Sequence, residues 1–385
     1  MNGDFDDTMR DNTIDAFFAL VRAGLFPVHD EGFIVNESLF QDVEWEKIYQ
    51  LAQEQSVLGL VLAGLEYSDI KPPQESLLQW IGEVQIIEQR NKAMNDFLAK
   101  LSESLHKEGV DFFLLKGQGV AQCYERPLWR SSGDIDLLLD DDNFFKAQKY
   151  LYSIASGYEP LLKEEKHQEF TVEAWIVELH GNQPTHFSKR TDTLLESLQD
   201  DAFNQRKERE WDNDGVSVKM LTPDSDVIFV FTHYLKHFFR GGIGLRQICD
   251  WCRLLWTYRE TIDYVLLEER LSQMGLMSEW HAFAALAVNW LGMPRESIPL
   301  YSDKLLWNRK AKRIIAYVLL TGNFGHNRDF SYYNKYPYII GKLISLYWRS
   351  MDNIRYFAIF PLDSFYVLLW LIRHGMKNLI RNKEK

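Results

Sequence analysis

The chain has 385 residues, of which 46% are apolar, 14% aromatic and 25% charged; that balance supplies ample core and excludes intrinsic disorder. A formal net charge of −12 repels polyanions over most of a surface, so nucleic acid is a poor partner, whereas divalent cations and small phosphorylated ligands suit it. Three cysteines, Cys123, Cys249 and Cys252, exclude a disulfide framework.

The N-terminal stretch MNGDFDDTMRDNTIDAFFAL is acidic where a secretory leader is basic. No apolar run reaches the roughly 18 residues of a spanning helix. A cytoplasmic location is the expectation. Apolar residues then recur at helical spacing over 12–25 and 43–65. The segment SDIKPPQ at 68–74 breaks the pattern. A long helix follows from about Glu75 to Lys107 and stops at Gly109. Residues 1–107 thus form an N-terminal helical segment.

The texture changes at Val110. VDFFLLKG and DIDLLLD are short apolar runs that suit buried strands. DDDNFFKAQKYLYSI opens on capping aspartates and continues as a helix. HQEFTVEAWIVELHGN is strand material in which Val177 and Leu179 alternate with Glu178 and His180. VSVKML at 216–221 adds another strand. From Pro223 the helical period returns and fills 223–385, with a glycine-rich break at RGGIG. The expected fold is α+β: a small mixed β-sheet core over 108–222, flanked by N- and C-terminal helical segments.

The stretch LLKGQGVAQCYERPLWRSSGDIDLLLD, residues 114–140, carries the most chemistry. On a strand, Asp134 and Asp136 share one face and Ile135 and Leu137 the other. Adjacent carboxylates repel unless a cation lies between them, and two oxygens at that spacing suit Mg²⁺. A solvated edge strand explains the bare Asp-x-Asp equally well. The surroundings favour a site. Gly117 lets a backbone approach a phosphate, and a short helix beginning at Gln118 presents its N-terminus to an anion. Lys116 and Arg130 add positive charge, Ser131 and Ser132 add hydroxyl donors, and Glu178 with His180 on the same strand face adds a third carboxylate.

LLKG…Y…P…R…GDIDLLL, followed by VELHGN and H…KHF…GGIGLRQICDW, resembles the uncharacterised nucleotidyltransferase family of the DNA polymerase β-like superfamily, over roughly residues 40–300. The resemblance implies that Gly117 and Gln118 stand at the phosphate turn, with Gln118 in place of the usual glycine or serine. It implies that Asp134, Asp136 and Glu178 hold two Mg²⁺ ions, Glu178 replacing the commoner aspartate. An NTP would be the donor, pyrophosphate would leave, and the NMP would pass to a hydroxyl. The acceptor is a small molecule or a protein side chain that the sequence does not name. A non-catalytic nucleotide-binding or partner-binding module of the same fold is the alternative. The resemblance also makes the helix with His233, Lys236 and His237 a wall of the cleft, and Arg246 and Asp250 supports behind it.

Other signals have plainer explanations. CDWC at 249–252 has no second pair to complete a zinc site. His233 and His237 lie one turn apart, but Tyr234 occupies the place a zinc protease needs for glutamate. RGGIG lacks the Lys-Ser/Thr ending of a P-loop. The C-terminal SFYVLLWLIRHGMKNLIRNKEK reads as a terminal helix docked on the core, with a membrane-surface helix as the less favoured reading.

Overall fold

A computed structural model describes residues 12–26, 36–161, 166–182, 184–205, 208–325, 327 and 335–381. The N-terminal helices are α1 (Asn12–Leu25), α2 (Trp45–Glu54), α3 (Leu58–Glu66) and α4 (Gln74–Lys107). The helical pattern over 43–65 is split in two because Ser56 adopts φ 56°, which no α-helix accommodates. α1 and α3 pack almost backbone to backbone through Gly24 and Gly64. A Cβ at either would lie about 2 Å from a carbonyl oxygen of the other helix (2.0 Å from Leu60 and 2.1 Å from Leu20).

The sheet forms from β1 (Phe113–Leu115), β2 (Asp134–Leu138), β3 (Gly157–Tyr158), β4 (His167–Val172) and β5 (Trp175–His180), in the order β1-β2-β5-β4-β3. β2 and β5 are parallel, and the other pairings are antiparallel. Helix α5 (Gly117–Ala121) follows β1, α6 (Asp141–Ile154) follows β2, and α7 (Lys189–Gln205) follows β5. Asp140 caps α6, its side chain accepting from the Asn143 N–H, so the DDD run is capping as expected. A separate hairpin pairs β6 (Glu208–Asn213) with β7 (Val216–Leu221); the sequence pattern had given only its second strand.

Ile135, Leu137, Val177 and Leu179 project from one face of the sheet into a core closed by Phe97, Leu101 and Phe144. Period-2 alternation then forces Asp134, Asp136, Glu178 and His180 onto the opposite face. At Asp134 and Asp136 that face is met by α8 (Pro223–Arg240) and α9 (Leu245–Thr257); α10 (Tyr264–Met274), α11 (Met277–Leu291), α12 (Leu305–Thr321), α13 (Tyr338–Phe357) and α14 (Pro361–Arg381) follow. α1–α3, the start of α4 and α8–α14 share one apolar cluster that includes Phe17, Trp80, Phe231, Trp251 and Trp280. Arg22 of α1 donates to the Trp290 carbonyl of α11 (2.8 Å). The terminal helix docks as expected, with Trp370 under the Arg240 guanidinium at 3.9 Å and stacked on His186. Residues 382–385 of the basic tip lie outside the described residues. Among the described residues, no helix is long and apolar enough to cross a membrane.

Candidate active site

β2 and β5 are neighbours in parallel register, with Asp136 beside Glu178. This brings carboxylate oxygens of Asp134, Asp136 and Glu178 within 4.8 Å of one another. Asp136 is buried, and Asp134 lies at the open end of the strand. The three carboxylates are not equivalent. The charge on Asp136, and then burial, push Asp134 up to about 6. Burial also pushes Asp136 upward, but the Lys116 ammonium and a His180 hydrogen bond outweigh it and hold the carboxyl below its usual range. Burial acts likewise on Glu178 and is outweighed by hydrogen bonds from His167 and His180, so this carboxyl is held well below normal.

Lys116 follows β1 with φ 50° and ψ −141°, a backbone region that costs a non-glycine residue about 1–3 kcal/mol. Gly117 follows at φ 41°. The paired positive-φ residues swing the chain out of the strand and aim the lysine back over the sheet. Its Nζ donates to Asp136 Oδ1 at 2.8 Å and stands 3.2–3.3 Å from both ring nitrogens of His233 on α8. Burial, then the Lys116 charge, drive the His233 pKa well down, so its ring is neutral beside the ammonium. Burial and the same lysine take His237 down to about 3. On the other side of Asp136, His180 Nε2 lies 2.7 Å from Asp136 Oδ1 and 3.3 Å from Glu178 Oε2. Burial pulls His180 down, but these two carboxylates outweigh it and raise its pKa.

The remaining residues singled out in the sequence divide into two groups. Arg130 lines the same cleft, but its guanidinium forks onto Asp250 of α9, with both bonds at 2.7 Å, and donates to Ser132 Oγ at 2.8 Å. Tyr124 donates to the same carboxylate at 2.8 Å. The Ser131 carbonyl accepts from Arg246 at 2.5 Å. Gln118 turns away from the cleft and is 2% exposed, its side chain donating to Asn91 of α4. Any part it takes in binding falls to its backbone. Lys236 is half-buried one turn beyond His233, where its charge helps depress both histidines. His167 and Asn91 were not singled out in the sequence, and Tyr124 and Gln247 stood in the quoted motifs with no role given; pairing and packing bring them to the site.

The Arg130–Asp250 pair joins the lead-in to β2 with α9. Removing one partner of a fully desolvated pair strands the other, at a cost of about 3–5 kcal/mol. Asp250→Ala should therefore lose that much stability in urea unfolding at neutral pH. A loss below about 1 kcal/mol, the level of a solvated surface pair, would contradict this placement. The CDWC thiols are buried inside α9. Burial raises Cys249 and Cys252 far above the usual thiol range, which leaves no thiolate for metal or redox chemistry.

The cleft enclosed by Lys116, Asp134, Asp136, His233 and Arg246 has a volume of about 50 Å³. That is room for a few waters and far below the size of a nucleotide pocket. A family model described as "uncharacterised nucleotidyltransferase" matches residues 41–292, well over half of the chain. Comparison with curated proteins and with solved structures finds no match.

Proposed function

The chain belongs to the uncharacterised nucleotidyltransferase family, and from that premise we propose that it is a Mg²⁺-dependent enzyme moving an NMP from an NTP to a hydroxyl of a small molecule or a protein. The observation that carries this is the convergence of Asp134, Asp136 and Glu178 from two parallel strands, beside a strained Lys116-Gly117 turn. Three hard oxygen donors, two of them on one strand face, fit Mg²⁺. When bound, Mg²⁺ supplies neutralisation of triphosphate charge and activation of the acceptor hydroxyl.

The chain's own groups do the positioning. The Lys116 ammonium is within a short swing of where a triphosphate beside Asp134 and Asp136 would lie, so it exchanges a carboxylate partner for a phosphate one. The Gly117 and Gln118 amides at the start of α5 face the same anion. His180 holds Asp136 and Glu178 in their rotamers. Arg130, fixed by Asp250 and Ser132, keeps the Ser131–Gly133 approach rigid. Neutral His233, with Lys236 and His237, forms the α8 wall against which base or ribose lies. The net charge of −12 disfavours polynucleotide acceptors.

Calorimetric titration of the full chain with each of the four NTPs, with and without Mg²⁺, tests the donor site. Binding that requires Mg²⁺ and is lost in Asp134→Asn supports it. Failure of every NTP to bind well-folded protein overturns it. The small cleft and the Lys116–Asp136 contact favour one second reading, a nucleotide-binding module that does not turn over. Pyrophosphate release in the presence of acceptor mixtures separates the two.

A further inference from the structure

We propose that His167, Glu178 and His180 form a second, nitrogen-rich metal site that takes a transition-metal dication, with Glu178 shared between it and the oxygen-only set. β4 and β5 are antiparallel with His167 directly opposite His180. The two imidazoles therefore rise from the same sheet face, with ring centroids 4.8 Å apart. Their Nε2 atoms both stand beside Glu178 Oε2, at 3.1 Å from His167 and 3.3 Å from His180; His180 Nε2 also lies 2.7 Å from Asp136 Oδ1, a contact it gives up when it ligates the ion. Atoms bound at about 2.0–2.1 Å to one tetrahedral ion stand roughly 3.3 Å from each other. The two contacts to Glu178 are thus close to the edges of a coordination polyhedron.

The donor set decides the metal. Two imidazoles and one carboxylate are the three-ligand pattern of catalytic zinc sites, with further positions left for water or substrate. Imidazole favours Zn²⁺, Co²⁺ and related ions, while Mg²⁺ prefers oxygen and water. Glu178 belongs both to this group and to the Asp134–Asp136 group, so one carboxylate would bridge an N,O site and an all-oxygen site. Access is from the side of His167, whose side chain is 24% exposed, while His180 is 8% exposed. The place of this ion beside a nucleotide rests on the nucleotidyltransferase reading; the metal site itself stands on the geometry of β4 and β5.

The test titrates the chelator-stripped full chain with Co²⁺ in excess Mg²⁺, read by visible absorption and by metal retained after gel filtration. The expected result is one Co²⁺ that survives the Mg²⁺ and shows the intense d–d bands of a low-coordinate, imidazole-ligated ion. His167→Ala, at a half-buried position, should keep the fold by circular dichroism. It should weaken Co²⁺ by more than about 100-fold, since loss of a direct ligand exceeds the usual outer-shell effect. Asp134→Asn should leave the Co²⁺ spectrum in place. Displacement of Co²⁺ by Mg²⁺, or unchanged Co²⁺ affinity in folded His167→Ala, would overturn the site and leave these residues as an ion-pair cluster only. Mg²⁺-dependent NTP binding that persists alongside such a result overturns this inference alone. Retained Co²⁺ with no NTP binding overturns the nucleotidyl-transfer reading alone.

Discussion

Asp134→Asn and Asp136→Asn are expected to abolish Mg²⁺-dependent nucleotide binding alike, yet to move the stability of the metal-free protein in opposite directions. Asp136 sits between Lys116 at 2.8 Å and His180 at 2.7 Å, with its side chain 2% exposed. Neutralising it strands a buried imidazole and a half-buried ammonium, at a cost of about 3–5 kcal/mol. Asp134 has the reverse problem. The neighbouring Asp136 charge and burial raise its pKa to about 6, against 3.8 for the free side chain. The folded state therefore binds more protons than the unfolded state between those values. Its contribution to stability is greatest below about 4 and is lost as pH rises through about 6. Asp134→Asn removes that penalty. Thermal unfolding without metal should show a midpoint above wild type at pH 7, by no more than a few degrees, because solvent at the open end of the strand screens the repulsion on Asp134. The difference should shrink toward pH 4. A midpoint for Asp134→Asn that falls at pH 7 would mean that the carboxylate pair is not repulsive and needs no cation.

Much of this site was legible because a strand's period of two is rigid. Once DIDLLLD and VELHGN are strands, Asp134 must share a face with Asp136, and Glu178 with His180. What the sequence could not supply is register. That Asp136 stands beside Glu178 depends on β5 pairing parallel to β2 across an intervening helix and hairpin, and no local propensity encodes that crossover. His167 escaped notice for the same reason: it joins His180 only because the hairpin turns at Glu173–Ala174, with Glu173 at φ 54°. Burial misleads in another way. Gln118 and Arg130 have the right chemistry and the right chain position for phosphate, but Asn91 and Asp250, dozens of residues away, claim their side chains. Ser56 shows the converse, a helical pattern interrupted by one backbone conformation that its composition does not announce.

Lys116→Met should separate metal binding from nucleotide binding. In the structure its ammonium occupies the carboxylate oxygen of Asp136 that a cation would seek, so it competes with Mg²⁺ while no nucleotide is present. Without that charge, Mg²⁺ alone meets a less screened trio of carboxylates and binds more tightly. The same change removes the only lysine Nζ that the described residues place on Asp136, and with it the charge that would meet the triphosphate. Loss of one preorganised charge-stabilising donor costs about 100-fold or more in turnover, so pyrophosphate release should collapse while metal affinity rises. Lys116→Gly sharpens the comparison. It removes the same charge, and at φ 50° glycine relieves strain of about 1 kcal/mol or more, so this variant should unfold at higher temperature than Lys116→Met with the same loss of turnover. The two readouts are Mg²⁺ affinity by calorimetry and pyrophosphate release. Unchanged Mg²⁺ affinity with undiminished release in both variants would show that the lysine neither guards the carboxylates nor serves the phosphates. Tighter Mg²⁺ binding with undiminished release would keep the first role and pass the second to Arg246, which also lines the cleft.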